Sequence, residues 1–183
     1  MKKRILFAVT ILSALVLTCS CSMNRAKNEG YKLYRSSPIG VQIEYPDFWE
    51  VKDSKSDRTV AFVTPSVGIA DTYRDNVTVC AYDLEKNNDL AFDEYVRNYI
   101  EELPKTIVGY NLVSEGEYTV SDYDAYRIVY EGETDDGALR IAHTFIKNKN
   151  VVFVYSFIAE PNDYDYFNQN SETMLTTFEA INK

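Results

Sequence analysis

The sequence contains one histidine and three cysteines, the residue types from which nucleophilic and zinc sites are most often built. His143 lies in the run 139–145, on the same side of a strand-like segment as Leu139, Ile141 and Phe145. No second histidine or thiolate cluster accompanies it, so zinc coordination and histidine-based nucleophilic catalysis both lack partners. We therefore predict that His143 is a hydrogen-bonded core residue, and that the protein has no catalytic residue, no metal site and no cofactor.

Carboxylates are abundant, with 28 aspartates and glutamates against 19 lysines and arginines. Asp71 and Asp75 stand four residues apart in the polar loop 65–75, where a cation could bind. That loop lacks the oxygen-rich pattern with a defined turn glycine that calcium sites need, so we interpret both aspartates as solvated charges. The sequence also has no glycine-rich phosphate loop and no Gly-x-Ser-x-Gly motif. A hydrolase that uses carboxylates alone is the remaining enzymatic alternative.

The first residues have the pattern of a secretory leader. Met1 is followed by three basic residues and then by 14 uncharged residues, 5–18, which suit a signal-peptide core and are too few to span a bilayer. The segment 17–21 (LTCSC) resembles a bacterial lipoprotein box, in which a small residue precedes the lipidated cysteine. We predict a signal peptide over 1–20, lipid (palmitate) attachment at Cys21 and a polar tether over 21–30. Lipidation of Cys19 and ordinary secretion are the alternatives.

The predicted anchor places the protein at the cell membrane, on its extracytoplasmic face, with the lipid as its contact to the bilayer. Cleavage of the leader removes three basic residues and changes the formal charge from −9 to −12. Such a chain is repelled by phosphate backbones, which argues against a nucleic acid partner. Once Cys21 carries the lipid, Cys80 is the one cysteine left, and a disulfide framework is excluded.

The segment 151–159 is apolar or aromatic on both alternating faces, so both faces must be covered. Amphipathic patterns at 90–103 and 163–181 predict two helices that can cover it, and Pro104 is expected to end the first. Strand-like runs joined by short polar turns predict an antiparallel meander before the central strand. The predicted fold class is α+β: an antiparallel sheet of about six to seven strands with helices packed on both faces, in a single domain over 31–183.

Several motifs point to one family. The segment 40–49 (GVQIEYPDFW) has a glycine, a strand and a Tyr-Pro-x-x-Trp end, whose Trp49 we predict to close one end of the core. A helix motif at 92–95 (FDEY) and a final motif at Thr177-Phe178 follow. Together they resemble the PsbP-like family, which includes bacterial lipoproteins related to DcrB and a eukaryotic regulator of the GTPase Ran. The resemblance implies an α/β/α sandwich, no enzymatic activity, and a role in binding proteins or assisting an assembly.

Tyrosines and carboxylates exceed what a core and solubility require, which favours a recognition surface. We predict a non-catalytic cell-envelope lipoprotein that binds or assists a protein partner of unknown identity. The residues predicted to contact the partner are in the loop 65–75 and the turn 134–137: Asp71, Tyr73, Asp75, Asp135 and Asp136. A small-ligand or divalent-cation-binding envelope module is the alternative function, and the carboxylate-only hydrolase is the third.

Overall fold

The computed structural model describes residues 26–54, 57–66, 73–86, 90–135 and 137–181. In chain order these residues form β1 (Tyr31–Ser36), β2 (Val41–Pro46), β3 (Glu50–Ser54), β4 (Thr59–Val63), β5 (Asn76–Asp83), α1 (Phe92–Thr106), β6 (Val108–Val120), β7 (Tyr123–Thr134), β8 (Gly137–Asn148), β9 (Val151–Ala159), α2 (Tyr164–Thr176) and β10 (Glu179–Ala180).

Strand β9 lies in the middle of an antiparallel seven-stranded sheet with the order β3-β4-β5-β9-β8-β7-β6. Its side chains alternate between two separate hydrophobic clusters. Phe153, Tyr155 and Phe157 pack into one cluster, and Val152 and Val154 pack into the other. The prediction that this strand is central and covered on both faces is confirmed.

Helix α1 covers one face of the sheet. It buries Val96 and Leu103, and the rings of Tyr95 and Tyr99 meet Phe145 of β8 edge-to-face. The helix does not end at Pro104, as the sequence predicted, but continues to Thr106. A proline lacks only its own backbone N–H donor, so the helix loses one hydrogen bond at Pro104 and continues for two more residues.

The opposite face is covered by α2 together with a small sheet of order β1-β2-β10. The Tyr155 hydroxyl of β9 donates a hydrogen bond of 2.9 Å to the Ser171 carbonyl of α2. The predicted helix over 163–181 is too long, because Glu179 and Ala180 leave the helix and pair with β2. Trp49 is 4% exposed and meets Phe167 edge-to-face, which confirms its predicted role in closing the core.

The meander β6-β7-β8-β9 forms one half of the large sheet, and β6 is its outer edge. β6 pairs with β7 along most of its length, with register shifts between Val108 and Asn111 and between Leu112 and Ser114. The fold is thus the predicted α+β arrangement, with helices on both faces of an antiparallel sheet. Within the ranges that the structure describes, no helix combines the length and the apolar character needed to cross a membrane.

Candidate functional site

Three of the five residues predicted to contact a partner, Tyr73, Asp75 and Asp135, lie within the described part of the chain. Asp71 and Asp136 lie outside the described residues, as do Cys19 and Cys21. Tyr73 is half-buried against the α1-side cluster, and its hydroxyl oxygen accepts a hydrogen bond of 3.3 Å from the Asn76 amide. Asp135 is exposed in the turn between β7 and β8. The loop before β5 and this turn both lie at the end of the sheet where β9 finishes.

Asp75 does not form part of an exposed surface, and this part of the prediction is wrong. It is 4% exposed, and its carboxylate accepts a hydrogen bond of 3.0 Å from the Glu160 backbone N–H. Its own carbonyl accepts the Thr64 N–H at 2.9 Å. Asp75 therefore ties the start of β5 to the end of β9, since a buried carboxylate must be hydrogen-bonded.

His143 lies in a buried group of hydroxyl-bearing side chains beneath α1. Its Nδ1 is 2.7 Å from the Ser156 hydroxyl, and its Nε2 is 3.0 Å from the Tyr130 hydroxyl and 3.3 Å from that of Tyr99. The side chain is 7% exposed, and burial lowers the pKa of the imidazole to about 4. Burial also raises the pKa of Tyr99 to about 12. The group is therefore neutral near pH 7.

The Ser156–His143 pair has the contact of a nucleophile with its general base, but its surroundings do not suit catalysis. A serine nucleophile needs a substrate beside it and a carboxylate that orients the imidazole. Here the Nε2 atom of His143 contacts tyrosine hydroxyls in place of a carboxylate. Both His143 and Ser156 are buried, and neither residue lines either of the two clefts described below. The geometry agrees with the predicted core role of His143.

Sequence reasoning placed His143 in the core but missed its partners. Ser156 could have been found, because the two-residue turn at Lys149 and Asn150 fixes the hairpin register that sets His143 directly opposite Ser156. Tyr99 could not, because it reaches the imidazole from a helix 44 residues earlier in the chain.

An open cleft of about 970 Å³ lies between α1 and the outer strands β6 and β7. A single α-helix is about 10–12 Å wide, whereas the two edge strands of a seven-stranded sheet are about 29 Å apart. The helix therefore cannot cover the whole face of the sheet, and the cleft lies beside it. Helix α1 lines the cleft with two rows of side chains at four-residue spacing. The apolar row is Phe92, Val96 and Ile100, and the charged row is Asp93, Arg97 and Glu101. The facing side chains include Glu115, Glu117 and Thr119 of β6, Tyr126 of β7 and Lys147 of β8.

A second cleft of about 490 Å³ lies between α2 and the same outer strands. Its two cations are already paired, because Arg127 contacts Glu172 at 2.6 Å and Arg140 contacts Glu131 at 2.6 Å. The Arg127 guanidinium also lies 5.2 Å from the centre of the Tyr118 ring. The Arg127–Glu172 pair holds α2 on the sheet, whereas the Arg140–Glu131 pair joins β8 to β7, so neither cation of this cleft is free for a ligand. Glu115 and Glu117 of the edge strand β6 line this cleft as well.

The first half of β6 is another exposed feature. Its large apolar side chains point outward: Val108 is 67% exposed, Leu112 45% and Val113 48%. The sequence pattern does not show that these side chains are exposed. A strand with register shifts loses its strict two-residue period, so its exposed and buried positions cannot be assigned by alternation. In the described part of the chain, no group of three histidine, cysteine or carboxylate residues is placed to hold a metal ion.

The neutral state of His143 predicts a specific acid sensitivity. The folded-state pKa of about 4 lies below the ordinary value of 6.5, so the stabilisation is complete above pH 6.5 and is lost as the pH falls towards 4. Between pH 7.5 and pH 5 the parent should lose about 2 kcal/mol more unfolding free energy than the variant His143→Gln, measured by urea denaturation. Comparing the two proteins cancels the contribution of carboxylates that titrate in both. Equal losses in the two proteins would show that folding does not lower the pKa of His143.

Comparison with known proteins identifies the family of the fold. The family model described as PsbP-like protein matches residues 19–181. Among solved structures, the chain is similar to CyanoP, the PsbP of the cyanobacterium Synechocystis sp. PCC 6803, at 12% identity and a TM-score of 0.59, covering 82% of this chain and 92% of that one. It is also similar to PA94 from Pseudomonas aeruginosa, at 20% identity and a TM-score of 0.58, covering 80% and 94%.

A third similar structure is LpqN of Mycobacterium tuberculosis, described as involved in cell envelope biogenesis, at 12% identity and a TM-score of 0.52, covering 83% of this chain and 91% of that one. No functionally curated protein matches the sequence at a significant level. At these identities the solved structures establish the fold, and the family model covers most of the sequence. The chain belongs to the PsbP-like protein family.

Proposed function

We propose that this protein is a non-catalytic accessory lipoprotein of the cell envelope, and that it binds a protein partner through the outer surface of β6. The observation that carries the proposal is the exposed apolar side chains of Val108, Leu112 and Val113 on an edge strand. Contiguous apolar surface on a soluble domain is typical of protein interaction sites. A role in the envelope fits the similarity to LpqN, which is described as involved in cell envelope biogenesis.

The edge itself is unsuited to indiscriminate strand pairing. Register shifts interrupt β6 between Val108 and Ser114, in the same part of the strand where the apolar side chains protrude. Bulges of this kind protect edges against pairing with other chains. Recognition through side chains therefore suits β6 better than the addition of a partner strand. Because Val108 pairs with Glu133, the exposed Asp135 of the next turn lies at the same end of the surface, where it would contribute to a polar rim of the proposed interface.

The tether explains how such a surface could be held near the membrane. Part of the predicted tether 21–30 is fixed to the domain: the Glu44 carboxylate, which is buried, accepts hydrogen bonds from the backbone N–H groups of Lys27 at 2.6 Å and Asn28 at 3.0 Å. With a lipid on Cys21, only six residue steps separate the anchor from Lys27. Their full extension is about 20 Å, so the domain would stay close to the bilayer.

The lipid anchor is tested by replacing Cys21 with serine. Because the predicted lipid attachment needs the Cys21 thiol, Cys21→Ser should move the protein from the detergent phase to the aqueous phase in a phase-partition experiment on cells. The matched control Cys19→Ser should stay in the detergent phase. The opposite pattern would assign the lipid to Cys19, and detergent partitioning of both variants would remove the lipoprotein assignment.

The partner surface is tested by photo-crosslinking in intact cells. A photo-reactive phenylalanine analogue in place of Val113 should give a covalent adduct with another protein, since that side chain would lie in the interface. The control position is Tyr166, which is 76% exposed on α2 and lies away from β6. Equal adducts at both positions, or monomer alone at Val113, would contradict the proposed surface. Tight binding of a small molecule by the same protein would favour the ligand-binding alternative.

A further inference from the structure

The cleft between α1 and the outer strands carries an excess of negative charge. Its lining includes five carboxylates, Asp93, Glu101, Glu115, Glu117 and Asp124, and two cations, Arg97 and Lys147. The ion pairs formed within the described residues involve none of these five carboxylates. The cleft is therefore a negatively charged surface that is open to a cationic ligand, since unpaired carboxylates in a concave site raise the local concentration of cations.

Neither of the two cations of the cleft forms an ion pair among the described residues, but each lies near another group of the protein. Arg97 stands four residues after Asp93 and four before Glu101 on α1, a spacing at which opposite charges on a helix attract. The Lys147 ammonium lies 5.7 Å from the centre of the Phe92 ring, within the range of a cation–π contact. Because β6 carries no lysine or arginine, Glu115 and Glu117 have no oppositely charged neighbour on their own strand.

Glu115 and Glu117 stand two residues apart on β6, and both face the α1 side of the sheet. Their spacing along the strand is about 6.8 Å, which matches alternate side chains of an extended peptide. Between them and α1, the cleft presents the partly buried side chains of Ile100, Phe92 and Tyr126. Burial, together with the neighbouring carboxylates of Glu115 and Glu117, raises the pKa of Tyr126.

We propose that this cleft binds an extended, basic segment of the partner protein, in which lysine or arginine residues alternate with apolar residues. The inference rests on the proposed function, because it gives the chemistry of the partner. The basic side chains would contact Glu115 and Glu117, and the apolar side chains would pack on Ile100 and Tyr126. A cleft of about 970 Å³ lies at the upper end of the usual range for ligand sites, which suits several residues of peptide.

The proposal is tested with a fluorescent heptapeptide that alternates lysine and leucine, added to the purified protein and followed by fluorescence anisotropy. The variant Glu115→Gln with Glu117→Gln should bind it about tenfold more weakly, as expected for the loss of two exposed charge contacts. The control variant, Glu29→Gln with Glu133→Gln, has the same net charge and alters exposed carboxylates outside the cleft, so its affinity should change less than twofold. Circular dichroism should show the same thermal unfolding for both variants.

Two further peptides separate the contributions of charge and apolar contact. A glutamate–leucine peptide should not bind, and a lysine–serine peptide should bind at least tenfold more weakly than the lysine–leucine peptide. Equal affinity of the two double variants, or equal affinity for the lysine–serine peptide, would overturn the proposal. If peptide binding fails while Val113 still crosslinks to a protein in cells, the cleft assignment is wrong and the proposed function stands. If the peptide binds the cleft while Val113 gives no adduct, the β6 surface is wrong.

Discussion

The two-sided burial of β9 is the constraint on which the rest of the structure depends. A strand with apolar side chains on both faces must be covered twice, and the chain meets this need with α1 on one face and with α2 and the small sheet on the other. Neither cover is as wide as seven strands. The helices and the small sheet lie over the middle of the large sheet, where the apolar side chains of β9 need burial. β6 and part of β7 are left open to solvent. The cleft and the exposed edge are consequences of how the core is built.

The same constraint keeps reactive groups out of reach. His143 and Ser156 lie on the α1 face of the two central strands, so covering that face with α1 removes both from solvent and supplies the Tyr99 hydroxyl as a partner. Burial then favours the neutral imidazole. The charged side chains of the cleft remain at the surface, where they can contact another molecule. The interior of this domain thus contributes stability, and the proposed recognition uses the outer strands and the rim of α1.

The sequence predicted the features that depend on local pattern. The centrality of β9, the two amphipathic helices, the meander and the core position of Trp49 all follow from periodicity and turns within about 20 residues. The missed features depend on distant contacts. β10 is two residues long and exists because it pairs with β2, about 137 residues earlier. Asp75 is buried because the Glu160 backbone, 85 residues later, needs an acceptor. The cleft depends on the width of the sheet relative to α1, which no local pattern encodes.

The central claim is that the sheet is closed around β9 and open along β6. Amide hydrogen–deuterium exchange on the isolated protein, resolved to single residues, tests this claim most directly, because exchange reports local opening and solvent access. The account predicts the slowest exchange in β9 and fast exchange for the outward-pointing amides of β6, above all between Val108 and Ser114. Protection of the whole of β6 at the level of β9 would contradict the account, since it would show that another part of the chain or a second copy covers the edge.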